Sequence, residues 1–282
     1  MKGYRMLKSL KRISYFVLVG WMFVSCSQDE DVIPKGDNLA MGNPSEAGTD
    51  FANYFIQKEQ YAMSYNSYRG TPNWVSWHLS SAWLGSAPRQ DDFRGDNTLP
   101  DSFYRVLPSD YTGSGFDRGH NAPSADRTLT ITDNSATFLM SNMIPQAPNN
   151  NQQTWANLEN YCRKLVSQGN ELYIIMGQYG KGGTGSAGFK ETLAGGKVTV
   201  PNRIWKVIVV LPVGTNDVSR VTSGTRVIAI DTPNSNNVSS SWGTYRTTVD
   251  AIEAKTGYDI LSNVPTAIQN VLEAVEDNGP TS

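Results

Sequence analysis

Asp117-Arg118-Gly119-His120-Asn121-Ala122-Pro123-Ser124-Ala125-Asp126 is the stretch that decides how the rest of the chain is read. The chain has two histidines, His78 and His120, and only His120 stands among groups that suit chemistry. Arg118 precedes it by two residues and Asp117 by three, with a glycine between. About thirty residues on, Asn149, Asn150 and Asn151 open a helix-like segment that carries Glu159. A base, flanking cations, an oxygen ligand and a carboxylate are the parts needed to cut a phosphodiester with one hard metal ion. A neutral imidazole can take a proton from water near neutral pH. Arginines grip phosphate in a fixed fork. Mg²⁺ prefers oxygen ligands and keeps several waters, so one asparagine carbonyl can suffice as its direct protein ligand.

Working outward, residues 73–84 are rich in aromatic and β-compatible residues and read as a strand. Pro88 to Asp101 reads as loop, Phe103 to Leu107 as a short strand, and Thr112 to Gly119 as turns leading into the His120 site. Residues 134–141 fit helix or strand. Trp155, Leu158, Cys162, Leu165 and Val166 recur at helical spacing, and Gly169 supplies a stop. Leu172 to Met176, Val198 to Val213 and Val227 to Ile230 read as strands, and Thr248 to Lys255 as a helix ended by Gly257. Gly180 to Gly188 is glycine-rich but lacks the ending of a phosphate loop, so it reads as a solvent loop. Strands and helices do not alternate regularly. The expected class is therefore α+β, with a central, mainly antiparallel sheet flanked by helices.

Several blocks in this order resemble one family, the sugar-non-specific DNA/RNA endonucleases of the ββα-metal (His-Me finger) type. Asp117-Arg118-Gly119-His120 followed by Ala122 to Asp126 resembles their active-site signature. Ser141-Asn142-Met143-Ile144-Pro145-Gln146 looks like the central block, and Asn149 to Arg163 like the metal-binding helix. Val200 to Val207 resembles a later strand, and Ile252-Glu253 to Thr256-Gly257 the closing helix. The resemblance spans Tyr68 to Leu261 and implies hydrolysis of DNA and RNA backbones to 5′-phosphate and 3′-hydroxyl ends. It implies His120 as general base and Asn151 as direct ligand of Mg²⁺, with Mn²⁺ open as a substitute. Glu159 would hold a metal-bound water, although eight residues of α-helix leave it about 80° round from Asn151. Arg89, 31 residues before His120, matches the transition-state arginine, with Arg94 as its competitor. Arg118 would be a second phosphate contact, Asn142 a supporting polar group, and Asp117 an orienting acid. The family often has an apolar residue after the histidine, where this chain has Asn121.

Bland readings stand beside these. Asn149 to Asn151 could simply cap a helix, Glu159 could be a solvated helix face, and Arg89 and Arg94 could be loop charges. His78, amid Trp74, Trp77 and Trp83, reads as structural. The functional alternatives are a non-catalytic relative that binds nucleic acid or a partner, and a phosphodiesterase acting on small esters.

The 282 residues are 39% hydrophobic and 18% charged, enough for one domain plus a tail. Lys2, Arg5, Lys8, Lys11 and Arg12, then the apolar run Ile13 to Val24, form a signal peptide over 1–25. Ser25-Cys26 resembles a lipoprotein cleavage site, which would leave the membrane attached only through a lipid on Cys26, at the cell envelope or surface. Residues 26–50 read as a tether, 51–277 as the domain and 278–282 as a frayed tail. Cys162 reads as a buried free thiol. The net charge is −2; without the five leader cations, 19 basic side chains face 26 acidic ones, a balance of −7. That excludes a global basic footprint, so phosphate must be held locally, by a few arginines and a metal.

Overall fold

A single eight-stranded sheet runs through the protein, every neighbour antiparallel. The computed structural model describes residues 37–282, together with residues 1 and 3. Most of the leader, Cys26 and the first part of the tether lie outside the described residues. The sheet strands are β1 (Thr49–Asp50), β2 (Asn53–Gln57), β3 (Ala62–Asn66) and β4 (Thr71–Leu79). A separate two-stranded ribbon follows, β5 (Asp117–His120) with β6 (Met143–Gln146). The sheet resumes with β7 (Asn170–Tyr179), β8 (Arg203–Pro212), β9 (Arg226–Pro233) and β10 (Arg246–Thr247). Its spatial order is β1-β2-β3-β4-β7-β8-β9-β10. The longer α-helices among the described residues are α1 (Ile131–Ala136), α2 (Ala156–Ser167), α3 (Val249–Thr256) and α4 (Thr266–Leu272). No described helix is long and apolar enough to cross a membrane.

The central strands are buried on both faces, which is why their sequences read as nearly unbroken apolar runs. Period-two alternation then sends neighbours into different cores. Val75, Trp77, Leu79, Ile174, Met176, Ile204 and Ile208 join one core with Trp155, Leu158, Cys162 and Leu165 around α2. Trp74, Tyr173, Ile175, Trp205, Val207 and Val209 join the other with Met41, Val249, Ile252 and Leu272. Helix α2 presents Leu158, Tyr161, Cys162, Leu165 and Val166 to its core, the spacing expected of one helical face. It ends at Gly169, whose φ of 87° suits glycine. Truncating Leu158, fully buried, would cost about 2–5 kcal/mol. Burial pushes the Cys162 thiol up to about 12, and His78 is buried with Nε2 2.9 Å from Glu171 Oε2. Helix α3 is capped by the Thr248 hydroxyl, which accepts from Ala251 N, and closed by Gly257 at φ 73°.

Four expectations are corrected. Residues 37–50 are packed domain, not tether. Met41 is 1% exposed, the Ser76 hydroxyl donates to Asn38 O, and Asn38 Nδ2 donates to Glu59 O. Polar, small residues there serve buried backbone groups instead of solvating a leash. Residues 103–107 form no strand; Phe103 enters the core from a loop, edge-on to Phe51 and Tyr54 at 5.0 and 5.2 Å. The glycine-rich 180–188 stretch leads into a hairpin (Gly183–Gly185 with Gly188–Lys190) docked through Thr184 N on Asn234 O. The terminal 278–282 segment is held, because Arg246 donates to Gly279 O and Arg226 to Pro280 O.

Candidate active site

The β5–β6 ribbon carries the motif, with His120 opposite Met143 and Asp117 opposite Gln146. Gly119 is required by contact: a Cβ there would lie 2.3 Å from Gln146 Oε1 and 2.6 Å from Gln146 Cβ. Gln146 in turn donates to Asn150 Oδ1 at 2.6 Å, linking the ribbon to the start of the following helical segment. Downstream, Asp126 accepts from Trp77 Nε1 (3.0 Å) and Arg163 Nη1 (2.6 Å), anchoring the end of the motif to the sheet and α2.

His120 sits in an aromatic cage. Its ring is 5.5 Å from Phe93 and 4.9 Å from Phe138, perpendicular to the latter. Nε2 is buried with no hydrogen-bond partner among the described residues. Burial, then the Arg89 and Arg118 guanidiniums, push its pKa down from 6.5 to about 3. The imidazole is therefore neutral at pH 7 and able to accept a proton. Phosphate between the two arginines would cancel their charge and bring the ring back toward its ordinary basicity.

A cleft of about 370 Å³ opens beside the cage, lined by Arg89, Phe93, Asp117, Arg118, Asn151 and Gln152 among others. Arg118 lies over the Phe93 ring at 4.0 Å and Arg89 over the Phe138 ring at 4.8 Å. Arg89 is steered further by Nη1 donating to the Ser124 hydroxyl and Nε to Asp91 Oδ1, both at 2.7 Å. Asp117 Oδ2 accepts from Asn151 Nδ2 and Gln152 Nε2, each at 2.8 Å. With its amide nitrogen so occupied, Asn151 has an Oδ1 that no donor among the described residues uses. Asn151 lies in a π-helical stretch, Asn150–Trp155, that runs directly into α2. Bonding from i to i+5 winds fewer degrees per residue than an α-helix, which reduces the offset between Asn151 and Glu159.

The remaining candidates stand behind the cleft. Glu159 does not line it; its carboxylate meets Lys206 Nζ at 3.5 Å, and that ammonium lies over Trp77 and Trp155. Burial raises the Glu159 pKa, and Lys206 opposes the rise. Asn142 is fully buried: Nδ2 donates to Ala122 O and Thr137 O, and Oδ1 accepts from Ala122 N. Its place is to hold the turn after His120. Asn121, where the family often has an apolar residue, donates through its backbone and its Nδ2 to Asn142 O. Arg94 is outside the cleft, donating to Asp92 Oδ2 and Ser135 O. Arg89, and not Arg94, shares the His120 neighbourhood. The sequence reading missed Phe93, Phe138, Ser124 and Gln152. Phe93, an aromatic in an otherwise polar Pro88–Asp96 loop, was the available signal.

The donor set fits a hard divalent cation, since an unused carboxamide oxygen held by a carboxylate is an oxygen ligand of fixed orientation. Comparisons with known proteins give the family. Residues 38–267 match the profile of the DNA/RNA non-specific endonucleases. The chain is 49% identical over 268 residues to a nuclease of Nostoc sp., covering 91% of this chain and 95% of that one. It is 32% identical to human mitochondrial endonuclease G over 56% of this chain and 54% of that protein. A crystal structure of EndoG in complex with EndoGI superposes with a TM-score of 0.65 at 24% identity, covering 81% of this chain and 91% of that one, and supports the same fold. With the signature ribbon, the following helix and an antiparallel sheet all in place, the chain belongs to the DNA/RNA non-specific endonuclease family, whose members are metal-dependent nucleic-acid hydrolases.

Proposed function

We propose that this endonuclease is Mg²⁺-dependent, uses His120 as general base and leaves 5′-phosphate and 3′-hydroxyl ends. The observation that carries the reading is the Asp117–Asn151 bond of 2.8 Å, which leaves a carboxamide oxygen free in the cleft that also holds Arg89 and Arg118. Asn151 would hold Mg²⁺, with Glu159 contributing through water. Bound there, the ion supplies positive charge to the phosphate and the leaving 3′ oxygen.

The side chains supply the rest. Arg89 and Arg118, fixed by stacking on Phe138 and Phe93, grip non-bridging phosphate oxygens. Their own partners, Ser124 and Asp91 for Arg89, limit how far its fork can swing. His120, held neutral, takes the proton of the attacking water at a ring nitrogen. Cations that grip non-bridging phosphate oxygens read backbone and not base edges, so cleavage should be indifferent to sequence and to the 2′ position.

His120→Ala tests the base. Supercoiled plasmid and a structured RNA should both resist cleavage in Mg²⁺, by at least about a hundredfold, with circular dichroism unchanged; near-native rates would refute the assignment. Magnesium is tested by EDTA, which should stop the native enzyme, and by re-addition of Mg²⁺ or Mn²⁺. We also propose export and lipidation at Cys26, which the basic leader, apolar run and Ser25-Cys26 support. Cys26→Ser should move the protein from the detergent to the aqueous phase on partition; no movement would remove the anchor.

A further inference from the structure

We propose a second, structural Ca²⁺ site formed by Asp250, Glu253 and Glu273, joining α3 to the end of α4. One carboxylate oxygen from each lies within 4.8 Å of the others. Asp250 and Glu253 are three residues apart on α3 and so share one helix face, where like charges repel. Glu273 follows α4 and is 5% exposed, and its Oε1 is buried with no hydrogen-bond partner among the described residues. A buried, unpaired carboxylate oxygen is costly unless something positive meets it.

Nothing among the described residues meets it. None of the three acids, nor the nearby Asp259, forms an ion pair with lysine or arginine among the described residues. Burial first, and then the negative charges of Glu253, Asp259 and Asp250, raise the Glu273 pKa to about 7. Glu253 spends Oε1 on Ile260 N at 2.7 Å, which fixes that side chain. Asp250 N donates to Glu273 O at 3.1 Å, so the two helix ends are already registered. Oxygen-only donors on segments of unequal exposure suit Ca²⁺, which accepts six to eight ligands in varied geometry, better than octahedral Mg²⁺. The site lies on the core face of Val249, Ile252 and Leu272, whereas the catalytic helix α2 packs on the other.

Thermal unfolding of the full chain in EDTA and then in CaCl₂ tests this. Saturating Ca²⁺ should raise the Tm by roughly 5–10 °C, and calorimetric titration should detect the binding. Glu273→Gln should abolish the shift while leaving Mg²⁺-supported plasmid cleavage intact. Should that variant fold poorly, Asp250→Asn, at an exposed position, should weaken Ca²⁺ affinity about tenfold. Asn151→Ala should keep the shift, which separates this site from the cleft. Absence of a Ca²⁺ shift in the native chain overturns the proposal. So does an equal shift in Glu273→Gln and Asp250→Asn. Stabilisation on acidification toward pH 6 with no Ca²⁺ response also overturns it, since a proton would then be what relieves the repulsion.

Discussion

Asp117→Ala is the most informative single change. Asp117 makes two bonds of 2.8 Å from one oxygen, to Asn151 and to Gln152. A hydrogen bond to an ionised acceptor contributes about 1.5–3 kcal/mol. Without it the Asn151 carboxamide can turn over and present nitrogen where oxygen is needed. At about 1.4 kcal/mol per tenfold, the Mg²⁺ concentration for half-maximal activity should rise about 10–100-fold. That is the usual cost of losing the partner that orients a metal ligand. Initial rates of plasmid nicking across a Mg²⁺ titration measure it. The rate at saturating Mg²⁺ should fall only a few-fold. Asp117→Asn keeps an acceptor and loses the charge, and should fall between. Gln152→Ala removes the second bond alone and should behave as native. An unchanged Mg²⁺ requirement in Asp117→Ala, or an equal loss in Gln152→Ala, would refute the orienting role.

Arg89→Ala should lower kcat on plasmid DNA by about a hundredfold or more, the loss of one charge-stabilising group at about 2.7–4 kcal/mol. Arg94→Ala should leave it within a few-fold, and the reverse ranking would reassign the phosphate contact. Because His120 titrates near 3 when folded and near 6.5 when unfolded, the unfolded chain binds more protons in that window. The penalty is absent above about pH 6.5 and grows as pH falls, by roughly 2–3 kcal/mol at pH 4.5. Denaturant titrations should show the native protein losing that much more stability than His120→Ala over the same range; parallel losses would contradict it. Asn142→Ala leaves three buried backbone groups without partners and should cost about 2–4 kcal/mol in urea midpoint experiments. A loss of activity without destabilisation would instead place that side chain at the substrate.

Asp117, Arg118, His120 and Asn151 could be grouped as candidates from their order along the chain, and folding sets Asp117, Arg118 and His120 on one ribbon and lines the adjoining cleft with Asp117, Arg118 and Asn151. The strands themselves were legible from the aromatic-rich β4 and the apolar stretches of β7, β8 and β9, and their antiparallel arrangement from the irregular alternation of strands and helices. Arg89 and Arg94 were not separable by sequence, as both are loop cations; what separates them is Ser124 and Phe138 against Asp92 and Ser135, partners fixed only on folding. Residues 37–50 read as a leash because small polar residues look soluble, yet Asn38 and Ser76 bond each other's segments inside the fold. The tail misled for the same reason, since composition does not reveal Arg226 and Arg246 waiting across the sheet. The 80° offset of Glu159 assumed a regular α-helix, and the π-helical stretch removes that assumption.

That wide turn also forbids shortening. Asn150 is bonded to Thr232 and Pro233 O on β9, Thr154 to Ser239 O, and Trp155 is lodged in the core. Deleting one residue, Gln153 for example, would let the segment relax into ordinary α geometry with better backbone bonding. It would then have to give up either the Asn151 grip on Asp117 or the seat of Trp155. The single surplus residue is thus a length constraint on the gene: a codon that contributes little of its own side chain, yet whose removal unseats a ligand or a core tryptophan.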